Sequence, residues 1–133
     1  MDITAIRAEL ATAVATAATA ELEGTWYSYD YPPGAASLPA LIVGDPTEVH
    51  YHTSFASGQV RIPLFVCVPR VDDIAATRLL DDAMSSPGVP TELEHYTATH
   101  WSELAVERAG PVRADTLGTV PALVTTFDLL ITA

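Results

Sequence analysis

The residues best suited to chemistry are two histidines, His50 and His52, separated by a single tyrosine. Side chains alternate along a strand, so both imidazoles would project from one face, an arrangement that suits a divalent metal. A third and fourth ligand would have to come from His95, His100 or Asp45, and nothing in the spacing demands it. The plainer reading is a pair of exposed hairpin residues. Paired acids occur at Asp72-Asp73 and Asp81-Asp82, and paired carboxylates are what general acid–base catalysis uses. The first pair falls at a helix start and the second on a polar helix face, where capping and solvation account for them. Cys67 is the only cysteine, so no internal disulfide can form, and its apolar strand makes it a small core residue rather than a nucleophile. There is no Gly-rich phosphate loop, no Gly-x-Ser-x-Gly elbow and no Cys–His pairing at a known spacing. A structural role without cofactors follows as the main reading, with a small metal-binding or enzymatic domain using His50 and His52 as an alternative.

The elements that would position these residues centre on Gln59–Met84. Ile62, Leu64, Val66 and Val68 share one strand face, and Arg61, Pro63, Phe65 and Cys67 share the other. Two apolar faces mark a central strand, whereas Pro63, which cannot donate to a ladder, argues for an edge or bulge. Asp72 or Asp73 caps the following helix, along which Ile74, Ala76, Leu79, Leu80, Ala83 and Met84 recur at helical spacing. Upstream, Asp2–Ala20 reads as a helix with the stripe Ile3, Ile6, Leu10, Val14 and Ala17 and a back of alanine and threonine, C-capped by Gly24. Strands are expected at Thr25–Tyr29, Leu38–Val43 and Glu48–Phe55, with a Pro-rich loop over Asp30–Ser37 and a turn at Ala56-Ser-Gly58. Trp26, Tyr27, Tyr29 and Tyr31 are expected in the core and at subunit contacts. Beyond the Ser85–Pro90 break come a short helical turn in Thr91–Tyr96, a strand Trp101–Ala109, a loop or small hairpin across Gly110–Thr119, and a closing strand Val120–Thr132. In the closing strand Leu123, Thr125, Phe127, Leu129 and Ile131 share a face. The order α-β-β-β-β-α-β-β predicts one α+β domain over residues 1–133: a mixed or antiparallel sheet of about four to six strands with two main helices on one face. Phe65 and Phe127 are expected between sheet and helices, under Ile6, Leu10, Leu79 and Leu80.

Of 133 residues, 49% are hydrophobic, which excludes intrinsic disorder. Six arginines, no lysine and 17 carboxylates give a net charge of −11, the reverse of what a general nucleic-acid-binding surface needs. Such a charge keeps a protein soluble, and it also describes a surface that must not stick to nucleic acid. No run reaches the length of a membrane span, and the start Met1-Asp2-Ile3-Thr4 lacks the basic region of a signal peptide.

Taken in order, the amphipathic helix Asp2–Ala20, aromatic strand Trp26–Tyr29, strand Pro39–Gly44 with Asp45-Pro46, strand Tyr51–Phe55, strand Ile62–Val68 with its Asp72-Asp73 helix start, and closing strand Leu123–Ile131 resemble a known family. It is that of the tail-terminator (tail-completion) proteins of long-tailed bacteriophages, especially those infecting actinobacteria. The likeness covers nearly the whole chain and rests on element order. It implies an assembly protein without catalysis: a six-membered ring on the finished tail tube, stopping its polymerisation and joining it to the head. The implied partners are further copies of the chain, the tail-tube protein and the head–tail connector, with genome DNA passing through the channel unbound. The implied location is the head-proximal end of the virion tail, and the host cytoplasm during assembly. Neck and connector proteins share this size and order, and a tail-tube protomer is a further alternative. On this resemblance the 48–60 hairpin reaches a neighbouring subunit or the tube through Tyr51 and Phe55. Arg61 and Arg70 serve at subunit joints with Asp81 and Asp82 as partners, and Asp45, Glu48 and Glu107 are candidates for the channel wall.

Overall fold

The computed structural model describes residues 1–52 and 58–133 and builds them around two long strands. These are β4 (Gly58–Pro69) and β7 (Val120–Thr132), antiparallel from Gln59 opposite Thr132 to Pro69 opposite Ala122. Each long strand carries two short strands end to end along its outer edge. On β4 these are β2 (Ala40–Val43) and β3 (Glu48–Tyr51); on β7 they are β5 (Glu103–Ala109) and β6 (Arg113–Leu117). A final strand, β1 (Tyr27–Tyr29), runs parallel to β2, so the sheet is mixed and the fold is α+β. The stretch expected as a loop or small hairpin forms β6 and its two-residue turn into β7, which begins at Gly118 with φ of 65°.

The conflict over Pro63 resolves at the junction of β2 and β3. β4 is central, and Pro63 lies where its neighbour changes from one to the other: Val43 pairs with Leu64 and Glu48 with Arg61. The Pro63 carbonyl accepts from the Gly44 N–H at 2.8 Å, and its missing donor faces the crossover rather than a ladder partner. Gly44 is needed for this approach, because a Cβ there would fall 2.8 Å from Pro63 Cγ and 2.6 Å from the Phe65 ring.

Three helices cover one face: α1 (Ile3–Glu21), α2 (Asp73–Met84) and the short α3 (Val89–His95). Asp2 caps α1 by accepting from Ala5 N–H, and Asp72 caps α2 by accepting from Ile74 and Ala75 N–H. The C-cap of α1 is Leu22 rather than Gly24: the chain turns extended at Leu22, and the positive φ of Gly24 lies two residues further on. Beneath the helices lies the main core. Ile6, Leu10, Val14, Leu80 and Leu93 meet Ile62, Leu64, Val66, Phe127 and Ile131 there, all fully or almost fully buried. Thr125 is buried beneath α2 with its hydroxyl 3.6 Å from Met84 Sδ. Leu79 is only half-buried at the edge of this core.

Three expectations are corrected. Phe65 is not beneath the helices; it pairs opposite Ile42 and Thr126 on the other face, packing partly exposed against Ile42, Cys67 and Val124. Alternation ties Phe65 to Arg61 and Cys67, and because both faces of β4 are apolar, sequence could not say which face the helices take. Ile74 leaves the buried stripe of α2, which holds Ala76, Leu80 and Ala83, and is 67% exposed in the first helical turn. Trp101 precedes β5 instead of belonging to it, and its ring is buried in the main core, 6.0 Å from that of Tyr96.

Of the aromatic run, Trp26 packs partly buried against the main core and Tyr29 against the opposite cluster, where its hydroxyl accepts from Ser37 N–H. Tyr27 and Tyr31 are exposed. On the second edge of the sheet two backbone donors are held by carboxylates: Glu94 of α3 accepts from Val106 N–H on β5 at 3.1 Å, and Asp115 accepts from Thr116 N–H on β6 at 2.7 Å.

Leu80→Ala is expected to cost about 2–5 kcal/mol in chemical denaturation, because a fully buried side chain would leave a cavity. Leu79→Ala, at the half-exposed neighbouring position, is expected to cost markedly less. Equal losses at the two positions would contradict the packing described.

Candidate functional site

The face of the sheet without helices divides into a polar half and an apolar half. In the polar half, strand register brings together three residues named from sequence. Glu48 on β3 stands opposite Arg61 on β4, and a bulge between Val106 and Arg108 turns Glu107 of β5 toward the same arginine. Arg61 donates to Glu107 and lies 3.6 Å from Glu48, which also bonds the His50 ring. That hydrogen bond, followed by the charge of the ring, holds the Glu48 carboxyl below its ordinary range. Beside them Arg108 pairs with Asp128 across the β5–β7 ladder. These groups are largely exposed, so the network contributes little to folding.

The metal reading gains no assembled ligand set. His50 bonds Glu48, His100 bonds Glu9, Asp45 bonds Arg7, and His95 ends α3. Among the described residues no group of three or more His, Cys, Asp or Glu is placed to hold a metal ion. Of the other residues named from sequence, Tyr51 ends β3 exposed, and Phe55 lies outside the described residues. Arg70 binds Asp73 at 2.8 Å, and Asp81 and Asp82 are exposed on α2.

The apolar half is a second cluster made by Ala40, Ile42, Cys67, Ala122 and Val124, with Phe65 and Leu117 packed against it. A cleft of about 230 Å³ opens over it between Pro32–Ala36 and β6, with the Arg113–Asp115 ion pair at its rim. Burial pushes the Cys67 thiol up to about 11, which disfavours the thiolate. The Asp115 carboxyl is held below its ordinary range, chiefly by the Thr116 N–H and then by Arg113.

Two polar anchors escaped the sequence reading. Arg7 is 4% exposed although it belongs to an alanine-rich helix. Its guanidinium donates to the carbonyls of Asp30 and Val43 and to Asp45 at 2.7 Å, and it lies 4.4 Å from the centre of the Tyr31 ring. It thereby ties α1 to the Pro-rich loop and to the end of β2. The available signal was its spacing: Ile3, Arg7, Leu10 and Val14 form one stripe, so Arg7 faces inward. The second anchor is Glu9, whose carboxylate accepts from the N–H groups of Thr99 and His100 and from the His100 ring. Desolvation raises its pKa, but these hydrogen bonds together outweigh it and the net shift is downward. No local pattern joins residue 9 to residue 100, so this contact was not legible.

Arg7→Met is expected to cost about 1–3 kcal/mol, because two backbone carbonyls lose a charged donor. Asp45→Asn should cost less than about 1 kcal/mol, since the Asp45 side chain is 84% exposed. Denaturant titration of both variants checks this. The lowered pKa of Glu9 fixes a sign as well: its contribution is present above the unfolded-state pKa and is lost as pH falls through the folded-state pKa. Glu9→Gln should therefore flatten the acid limb of the stability–pH curve while lowering stability at neutral pH. An unchanged acid limb would remove this role.

No helix among the described residues is long and apolar enough to cross a membrane. No protein-family model matches the chain, and no curated protein matches it.

Proposed function

We propose that the protein is a structural component of a bacteriophage virion, a tail terminator that closes into a ring on the tail tube, stops its growth and makes the joint to the head–neck connector. The reading starts from the resemblance in element order. The observation that supports it most is the use of the arginines. Among the described residues, five of the six are held in ion pairs with carboxylates: Arg7, Arg61, Arg70, Arg108 and Arg113. Against 17 carboxylates this leaves little free cationic surface. A basic channel wall would retain DNA through counterion release, whereas a neutral or acidic wall lets it slide. The Glu48–Arg61–Glu107 network on the open sheet face, next to the β3–β4 hairpin, fits such a surface. Tyr51, and Phe55 outside the described residues, are assigned to the neighbouring subunit or the tube, where aromatic anchors concentrate binding energy.

The test is assembly on tubes. Purified protein added to tail tubes should appear by negative-stain microscopy as one closed ring at a single end, with tube length fixed thereafter. Open stacks would instead identify a tube protomer. Deleting Val49–Ser57 should leave a folded chain that no longer caps. Normal capping by the deletion variant would remove the hairpin from the interface.

A further inference from the structure

Two of the helices end at the same place. Glu21 and Leu22 at the end of α1 and Asp82 and Ser85 at the end of α2 line one notch of about 380 Å³. A helix C-terminus carries partial negative charge and is stabilised by a cation in its last turn. Neither helix has one. α1 ends instead on Glu21, with Glu23 just beyond, and the last turn of α2 holds Asp81 and Asp82. α3 also begins here at Gly88, but Glu92 in its own first turn answers that positive end. Among the described residues, Glu21, Glu23 and Asp82 belong to no ion pair. The rule for charge at helix ends is thus broken twice at one spot, with nothing inside the chain to offset it.

The notch is more than a solvated acidic surface. Leu22, Trp26 and Leu79 line it half-buried, and Pro87 lines it exposed. The Trp26 indole N–H donates to the Glu23 carbonyl at 3.1 Å, which fixes the ring. Aliphatic walls, an indole and three carboxylates together match one side chain. Arginine lays its stem on apolar surface, stacks its guanidinium on an aromatic ring and donates to carboxylates. This chain has little to supply, since it lacks lysine and five of its six arginines are held in its own ion pairs. The cation that complements the notch therefore belongs to a different protein.

We propose that this notch is the docking site for an arginine-bearing segment of a partner protein, the guanidinium entering between the ends of α1 and α2. The inference goes beyond the ring reading and does not depend on it.

Heteronuclear NMR titration of the full chain with the peptide acetyl-Leu-Arg-Leu-amide, and with its uncharged citrulline counterpart, tests it. The arginine peptide should move the Trp26 indole resonance and the amides of Leu22, Leu79 and Asp82 saturably. The citrulline peptide should bind at least about tenfold more weakly. The triple variant Glu21→Gln, Glu23→Gln, Asp82→Asn should also bind the arginine peptide at least about tenfold more weakly. It should melt no lower than the parent, because like charge is removed from two helix ends. Asp30→Asn, Asp45→Asn, Glu103→Gln removes as many charges elsewhere and should bind as the parent does. Absence of saturable shifts at the notch, equal binding of the two peptides, or equal weakening by the two triple variants would overturn the proposal. So would self-association of the parent that Arg78→Ala abolishes, because the occupant would then be a second copy. The ring reading fails separately: a chain that binds the peptide at the notch but leaves tail tubes uncapped removes the ring alone.

Discussion

The pairing of β4 with β7 is the constraint on which the rest depends. Two strands of 12 and 13 residues hold one register along almost their whole length. Neither flanking edge is filled by a strand of matching length, so each is filled by two short ones meeting near the middle. That arrangement accommodates Pro63 inside a central strand, because the ladder hands over from β2 to β3 where the proline lacks its donor. It also makes the join at Gly44 a place of close backbone approach. A proline that argues against a central strand in isolation is compatible with one whose neighbour is interrupted there.

The described helices pack on one face, and the other, partly covered by the Pro-rich loop, is divided by chemistry. One half packs Ile42, Cys67 and Val124 under the Pro-rich loop; the other sets Arg61 between Glu48 and Glu107 and pairs Arg108 with Asp128. A domain that needed only a core would gain little from this second surface, since exposed ion pairs contribute marginally to folding.

What sequence revealed follows from the range of the interactions. Period-two patterning along Gln59–Val68 and Val120–Thr132, and the caps at Asp2 and Asp72, are local, and they appear in the structure with small changes of boundary. The side of the sheet taken by Phe65 was ambiguous because both faces of its strand are apolar, so alternation ranks neither. Ile74 was misplaced because periodicity gives direction around a helix axis but not which turns are covered. Of the residues proposed for joints and channel, Glu48, Arg61 and Glu107 meet on the helix-free face, and Arg70 binds Asp73, three positions on along the chain, rather than Asp81 or Asp82. Arg7 and Glu9 gain their roles from partners far along the chain, at Val43 and Asp45 and at Thr99 and His100; helical spacing could turn Arg7 inward but could name none of these partners.

The carboxylates at the second sheet edge have a bearing on how the protein could polymerise unintentionally. An uncovered edge strand is a template to which a foreign strand can add at once, the route by which exposed edges nucleate fibres. Here the Val106 and Thr116 donors are already held, by Glu94 and Asp115. An incoming strand must first displace a side chain at each, and the displaced carboxylate then remains beside it as a charge to be accommodated. Addition at these two positions therefore requires side-chain release first. Two of the 17 acidic groups thus act as stoppers on the sheet as well as solvated charges.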